Sequence, residues 1–406
     1  MQSTPPVPSL ATAHPVPGVK VPISLVTALA SVPDPRRSAS VTYPLPAIFA
    51  LTVTALLANQ LSVLAMAEWA ARPSPEVVVD LGFRNGRTPC QSTLHRLLRK
   101  LDGHALAAAL RAHFVPAPVP PTGGRGTQAI AIDGKAPRGR LHFETGGCPV
   151  HALSAWCHQY GVVVAHEPIT TGGDTAEAEL TVAPTLLGRL DWRGRVLTAD
   201  ALFCQRQLCH QVCDAGGDYL LIVKDNQPTL AHDIRLLFDP PCDLATLPLL
   251  DQRETWSLET GHGRRDERRS LIASTDLTAY LDWPGLAQVF RVERTWQERG
   301  VVKGAVRYGM TSLPPSVATP ARLLELRRGH WAIEHRLHRC KDVTMGEDAS
   351  LIPVGQGPTG MALLRDAAVN LLSRTGVRRV AARLRAYSQQ PDRALALVVR
   401  PLPTHA

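Results

Sequence analysis

Lysine is scarce in this chain: only six are present, at positions 20, 100, 135, 224, 303 and 341. With 44 Lys and Arg in total, 38 are arginines, set against 35 acidic residues for a formal charge of +9. Arginine-rich positive charge suits a polyphosphate partner, because the guanidinium fork matches phosphate oxygens. Codon usage in a GC-rich genome accounts for the Arg:Lys ratio equally well. Charged residues are few (19%) and hydrophobic ones plentiful (45%), which excludes a disordered chain. The eight cysteines include no C-x-x-C pair and no regular framework, which argues against a zinc ribbon or a disulfide scaffold and for a reducing cytoplasm. No basic start leads into an apolar core, so no signal peptide is read. One stretch, Pro46 to Ala67, approaches membrane-spanning length. Asn59 and Gln60 interrupt it and Glu68 follows, so it reads as a buried helix, and no membrane partner is expected.

At 406 residues the chain has material for two or three domains. Residues 1–21, rich in proline, read as a disordered lead. Residues 22–114 read as a helical region, with one apolar helix over Leu45–Trp69 and a basic amphipathic one starting at Ser92. Residues 115–127, rich in Pro and Gly, read as a linker. Strand-like runs then alternate with helices: Gln128–Asp133, Val150–Trp156, Val162–Ile169, a helix, Arg195–Asp200, a helix, and Asp218–Lys224. This order indicates an α/β mixed sheet with flanking helices over 128–250 and 314–375. Residues 251–313 read as an antiparallel β-rich insertion, Pro320–Met345 as one long helix, and 376–406 as a basic C-terminal tail.

Asp133 (AIAIDGK) and Asp200 (VLTADA) each end a buried strand. Open α/β sheets place their sites at that edge. Two carboxylates there repel one another unless a cation lies between them. The third candidate is Glu334 in RRGHWAIEHRLHRCKDVTMGED. Arg327, His330, Glu334, His338 and Lys341 form a polar stripe beside an apolar one, so Glu334 is flanked by groups able to contact phosphate. Helical pairing on a solvated face is the competing account of this stripe. Three carboxylates suit Mg²⁺, with Mn²⁺ as an alternative, and two such ions about 3.5–4 Å apart support in-line phosphoryl displacement. Asp225, Asp342, Glu347 and Asp348 are rival carboxylates.

The segments AIAIDGKAPRGR, VLTADALFCQRQLC…GGDYLLIVKDNQPTL, GHGRRDERR, YGMTSL and HWAIEHRLHRCKDVTMGEDAS resemble, in order, the motifs of DDE insertion-sequence transposases of the H-repeat-associated type. The resemblance spans about residues 25–375. It implies a ribonuclease H-like core with a β-rich insertion before the last catalytic helix and an N-terminal helical domain. It also implies a metal-binding triad of Asp133, Asp200 and Glu334, and a homo-oligomer, a dimer, acting on terminal inverted repeats and target DNA in the bacterial cytoplasm and nucleoid. Lys135, Arg327, His330, His338 and Lys341 are the expected DNA contacts. His335 and Arg339 stand where that family usually has an amide and an aromatic. The activity implied is Mg²⁺-dependent strand cleavage and strand transfer. An inactive DNA-binding remnant and a plain ribonuclease H-like nuclease are the alternatives.

Overall fold

The computed structural model describes residues 23–38, 41–72, 75–115, 128–135, 151–169, 175–241, 251–261, 264–298, 301–350, 352 and 355–401. The lead at 1–21, and the linker apart from Val115, lie outside the described residues.

Runs of alternating or wholly apolar residues build one nine-stranded mixed sheet. Its strands are β1 (Gln128–Lys135), β2 (His151–Cys157), β3 (Val162–Ile169), β4 (Arg195–Ala199), β5 (Asp218–Val223), β6 (Arg253–Gly261), β7 (Arg264–Ser274), β8 (Gln288–Glu298) and β9 (Val301–Thr311). The spatial order is β3-β2-β1-β4-β5-β9-β8-β7-β6. β1, β4 and β5 run parallel to one another, while β2 and β3 are antiparallel to their neighbours. This is the ribonuclease H-like arrangement expected from the sequence. The β-rich segment expected as an insertion continues the same sheet, because β9 pairs antiparallel with β5 from Leu220↔Thr311 to Val223↔Tyr308.

Side chains alternate across each strand, so the sheet has two covered faces. Ile130, Ile132, Leu197, Ala199, Tyr219 and Leu221 face helices α7 (Thr175–Gly188), α8 (Arg206–Asp214) and α9 (Pro228–Phe238). Ala129, Val196, Leu220 and Ile222 face the opposite way, toward α10 (Pro320–His330). Ala131 and Trp156 continue that face under the N-terminal helices.

These are α1 (Leu25–Leu29), α2 (Leu45–Leu57), α3 (Val63–Ala70), α4 (Pro75–Asp80), α5 (Gln91–Leu98) and α6 (Gly103–Phe114). They share one hydrophobic core with α11 (Gly357–Arg374), α12 (Val380–Gln389) and α13 (Pro391–Val399). The segment read as a basic tail thus carries two helices, and Ala394, Leu395 and Val398 of α13 are buried.

Two helices differ from their sequence reading. The apolar run Leu45–Trp69 is two helices: Asn59 adopts φ 63°, ending the first, and Ser62 caps the second by accepting from the Ala65 amide. The long helix expected over Pro320–Met345 is α-helical only to His330. It then widens into π-helical turns over Ile333–His338 and Cys340–Thr344. Such turns concentrate at functional sites. Among the described residues no helix is long and apolar enough to cross a membrane.

Candidate active site

The parallel ladder sets the first two carboxylates side by side. β1 pairs with β4 from Gln128↔Arg195 to Ala131↔Thr198. The same register continued by two residues brings Asp133 beside Asp200, on strands about 4.8 Å apart. Both follow the face of Ala131 and Thr198 and therefore point toward the layer that carries Glu334.

Docking of that layer is specified by side chains on either side of Glu334. Ile333 and Leu337 enter the same core as Ala131 and Trp156. One turn before Glu334, His330 Nδ1 lies 3.4 Å from Thr198 Oγ1, two residues ahead of Asp200. One turn after it, His338 Nδ1 lies 3.4 Å from Asp133 Oδ2. Thr198 Oγ1 is also hydrogen-bonded to His158 Nε2 at 3.0 Å. The helix comes this close because residue 329 is glycine: a Cβ there would sit 2.4 Å from His158 Nδ1. Glu334 itself is exposed.

Electrostatics reflect this crowding of acids. Asp133 is pushed up to about 8, first by burial, then by the charges of Glu334, Asp200 and Glu179. Glu179, on α7, escaped the sequence reading. Its carboxylate fills the space over Gly134, where a Cβ would come within 2.0 Å of it. Only the glycine next to Asp133 signals this approach. Among the described residues no group of three or more His, Cys, Asp or Glu side chains stands ready to hold a metal ion. In donor chemistry the acids do fit a hard divalent cation. They are oxygen-only, and the mutual repulsion that lifts Asp133 is what such an ion neutralises.

Most of the expected DNA contacts are engaged elsewhere. Lys341 is 3% exposed, with its Nζ 2.8 Å from Asp366 and 3.3 Å from Glu347. Lys135 is ion-paired with Asp342 and Glu347, which also removes two rival carboxylates. Burial pushes His330 down to about 4 and His338 to about 3, so both are neutral pins, not phosphate-attracting cations. Arg327 stacks over Trp331 at 5.4 Å and feels the charge of Asp200, so it stays near the carboxylates. These positions follow from the π-helical widening together with long-range partners. The stripe that looked like one solvated face is split between the core and the surface. Past Trp331, the arginines Arg336 and Arg339 are exposed, with His335 beside them.

A ribonuclease H-like sheet with paired aspartates at the ends of its central parallel strands defines a class of nucleic-acid-processing proteins. Residues 125–368 match the family model described as transposase DDE domain, and residues 26–114 match the DDE_Tnp_1-associated model. The chain is 31% identical over 284 residues to "Uncharacterized protein in dhlA 3'region" of Xanthobacter autotrophicus, covering 69% of this chain and 92% of that protein. It is 28% identical over 374 residues to "Putative transposase YncI" of Escherichia coli O157:H7, covering 86% and 87%. It is 28% identical over 274 residues to "H repeat-associated putative transposase YhhI" of Escherichia coli K12, covering 65% and 69%. The chain belongs to the DDE transposase family.

Proposed function

We propose that this transposase cuts DNA at the ends of its insertion sequence and joins the freed 3′-hydroxyl to target DNA, using Asp133, Asp200 and Glu334. The observation that supports the assignment is the β1–β4 register, which, continued two residues past Ala131↔Thr198, sets Asp133 beside Asp200, together with the His330 and His338 contacts that flank Glu334. Mg²⁺, or Mn²⁺, bound by these carboxylates supplies charge neutralisation and activation of an oxygen nucleophile. The chain's own residues set the frame for that chemistry. In this reading the β1–β4 ladder leads into Asp133 and Asp200, and the turns on either side of Glu334 hold it over them. His338 and His330 hold the helix, and their burial disfavours the protonated form, so they place little positive charge beside the cation. Cutting by water and joining by the 3′-hydroxyl are both in-line displacements at phosphorus, so one acidic centre serves both. Two terminal repeats must be held together for joining, which a dimer provides.

The test uses duplexes carrying the repeats that flank the chain's own gene. Asp133→Asn is expected to bind them and to lose Mg²⁺-dependent cleavage. Strand-transfer products from the parent protein separate a transposase from a plain nuclease. No cleavage by the parent, with binding retained, would refute the catalytic assignment.

A further inference from the structure

The exposed basic side chains next to Glu334 do not stand alone. His335, Arg336 and Arg339 line a groove of about 380 Å³ whose opposite wall comprises Arg378, just beyond α11, and Tyr160 of the β2–β3 turn. No acidic residue lines it. Arg336 also lines a second groove, of about 510 Å³, that runs past His158 to Trp256 on β6. One arginine therefore joins two clefts into a track across the Glu334 helix, from the extension of the sheet to the C-terminal helices.

What marks this track is that three arginines without a carboxylate partner line one groove. Arg193, Arg206, Arg253, Arg291 and Arg322 each hold a carboxylate. Among the described residues Arg336, Arg339 and Arg378 hold none, although all three are exposed. Convergent guanidinium groups without an internal anion repel one another, and phosphate oxygens relieve that repulsion through paired N–H donors.

We infer that this track is where the sugar–phosphate backbone of duplex DNA lies, held by Arg336, Arg339 and Arg378, in place of the buried Lys341 stripe. The inference rests on the proposed reaction and specifies which surface presents the substrate to Glu334. A polyanion carrying one phosphate charge per about 1.7 Å of duplex axis fits this extended track, whose arginine-lined groove holds no acid and whose second groove holds only Glu325, better than a single anion does.

The experiment is fluorescence anisotropy of an arbitrary-sequence duplex across a salt series. It uses the full chain and the triple variant R336A/R339A/R378A, with thermal melting to confirm folding. Each lost phosphate contact lowers the slope of log affinity against log salt by about 0.9, so the triple variant is expected to lose about 2–3. A control triple, R193A/R253A/R322A, removes the same charge from carboxylate-paired sites and is expected to keep the parental slope. An unchanged slope in the groove triple, or equal losses in both triples, overturns the inference. The same loss confined to an acidic protein probe, with none on DNA, also overturns it. Cleavage of the repeat duplexes, scored separately with Asp133→Asn, tests the underlying reaction, so the two failures are distinct.

Discussion

Replacing Lys341 with methionine tests whether this residue belongs to the core or to the DNA surface. The substitution keeps the length and removes the charge. In the folded chain the ammonium is 3% exposed, between Asp366 at 2.8 Å and Glu347 at 3.3 Å. Glu347 retains Lys135 and, at 3.9 Å, Arg365. Among the described residues Asp366 keeps the His166 contact at 3.1 Å and the charge of Arg365 nearby, so the uncompensated charge falls mainly on Asp366. Breaking a buried pair by removing one partner costs about 3–5 kcal/mol. If the 406 residues melt as one unit, an unfolding entropy of about 2.1 cal/mol/K per residue converts this into a Tm loss of about 4–6 °C. The double variant Lys341→Met/Asp366→Asn removes the stranded charge and is expected to recover most of that loss. Acid titration adds a second readout. Glu347 is held down at about 2 in the folded chain, first against the cost of burial by Lys341 and then by Lys135. A depressed carboxylate stabilises above its unfolded value of about 4.3 and loses that contribution as pH falls toward 2, so the variant is expected to start losing stability at higher pH. Melting is followed by circular dichroism and binding by the salt series. An unchanged Tm with a DNA salt slope lowered by about one would show that Lys341 is a surface phosphate ligand.

Other predictions are shorter. Asp133 is raised to about 8 in the folded chain, so between about pH 4 and 8 the folded state holds a proton that the unfolded state releases, and stability falls as pH rises through that window. Asp133→Asn is therefore expected to melt above the parent at pH 8 in EDTA, and an equal or lower Tm contradicts the crowding of carboxylates. Gly329→Ala places a Cβ against the His158 ring and displaces the docking of α10, so cleavage is expected to drop on the order of 10²-fold, as for a misplacement of about 1 Å. The accompanying stability cost is about 1–3 kcal/mol, and cleavage at the parental rate would show that the pin is dispensable.

Much of this was legible in the sequence. Buried strands announce themselves as short apolar runs, and an aspartate at the end of each marks the sheet edge. Asp133 and Asp200 were therefore readable from local pattern. Glu334 was readable as one turn from two basic groups. What those groups do was not. His330, His338 and Lys341 look like a solvated stripe at helical spacing, yet their partners Thr198, Asp133 and Asp366 are distant in sequence. A π-helical widening leaves no trace in a 3.6-residue pattern. Glu179 depends on the missing Cβ of Gly134, a contact between two elements that composition does not reveal.

The first and last helices of the described chain complete a single packing unit: α13 packs on α1 and α2, with Leu395 and Val398 in the same core as Leu25, Leu29 and Phe49. During synthesis the N-terminal half leaves the ribosome first and waits, with apolar surface bare, for residues made several hundred codons later. A stop codon or frameshift arising long after the codon for Glu334 would still withhold that closing piece. In this architecture such a truncation would leave a chain with Asp133, Asp200 and Glu334 intact and no finished core to hold them.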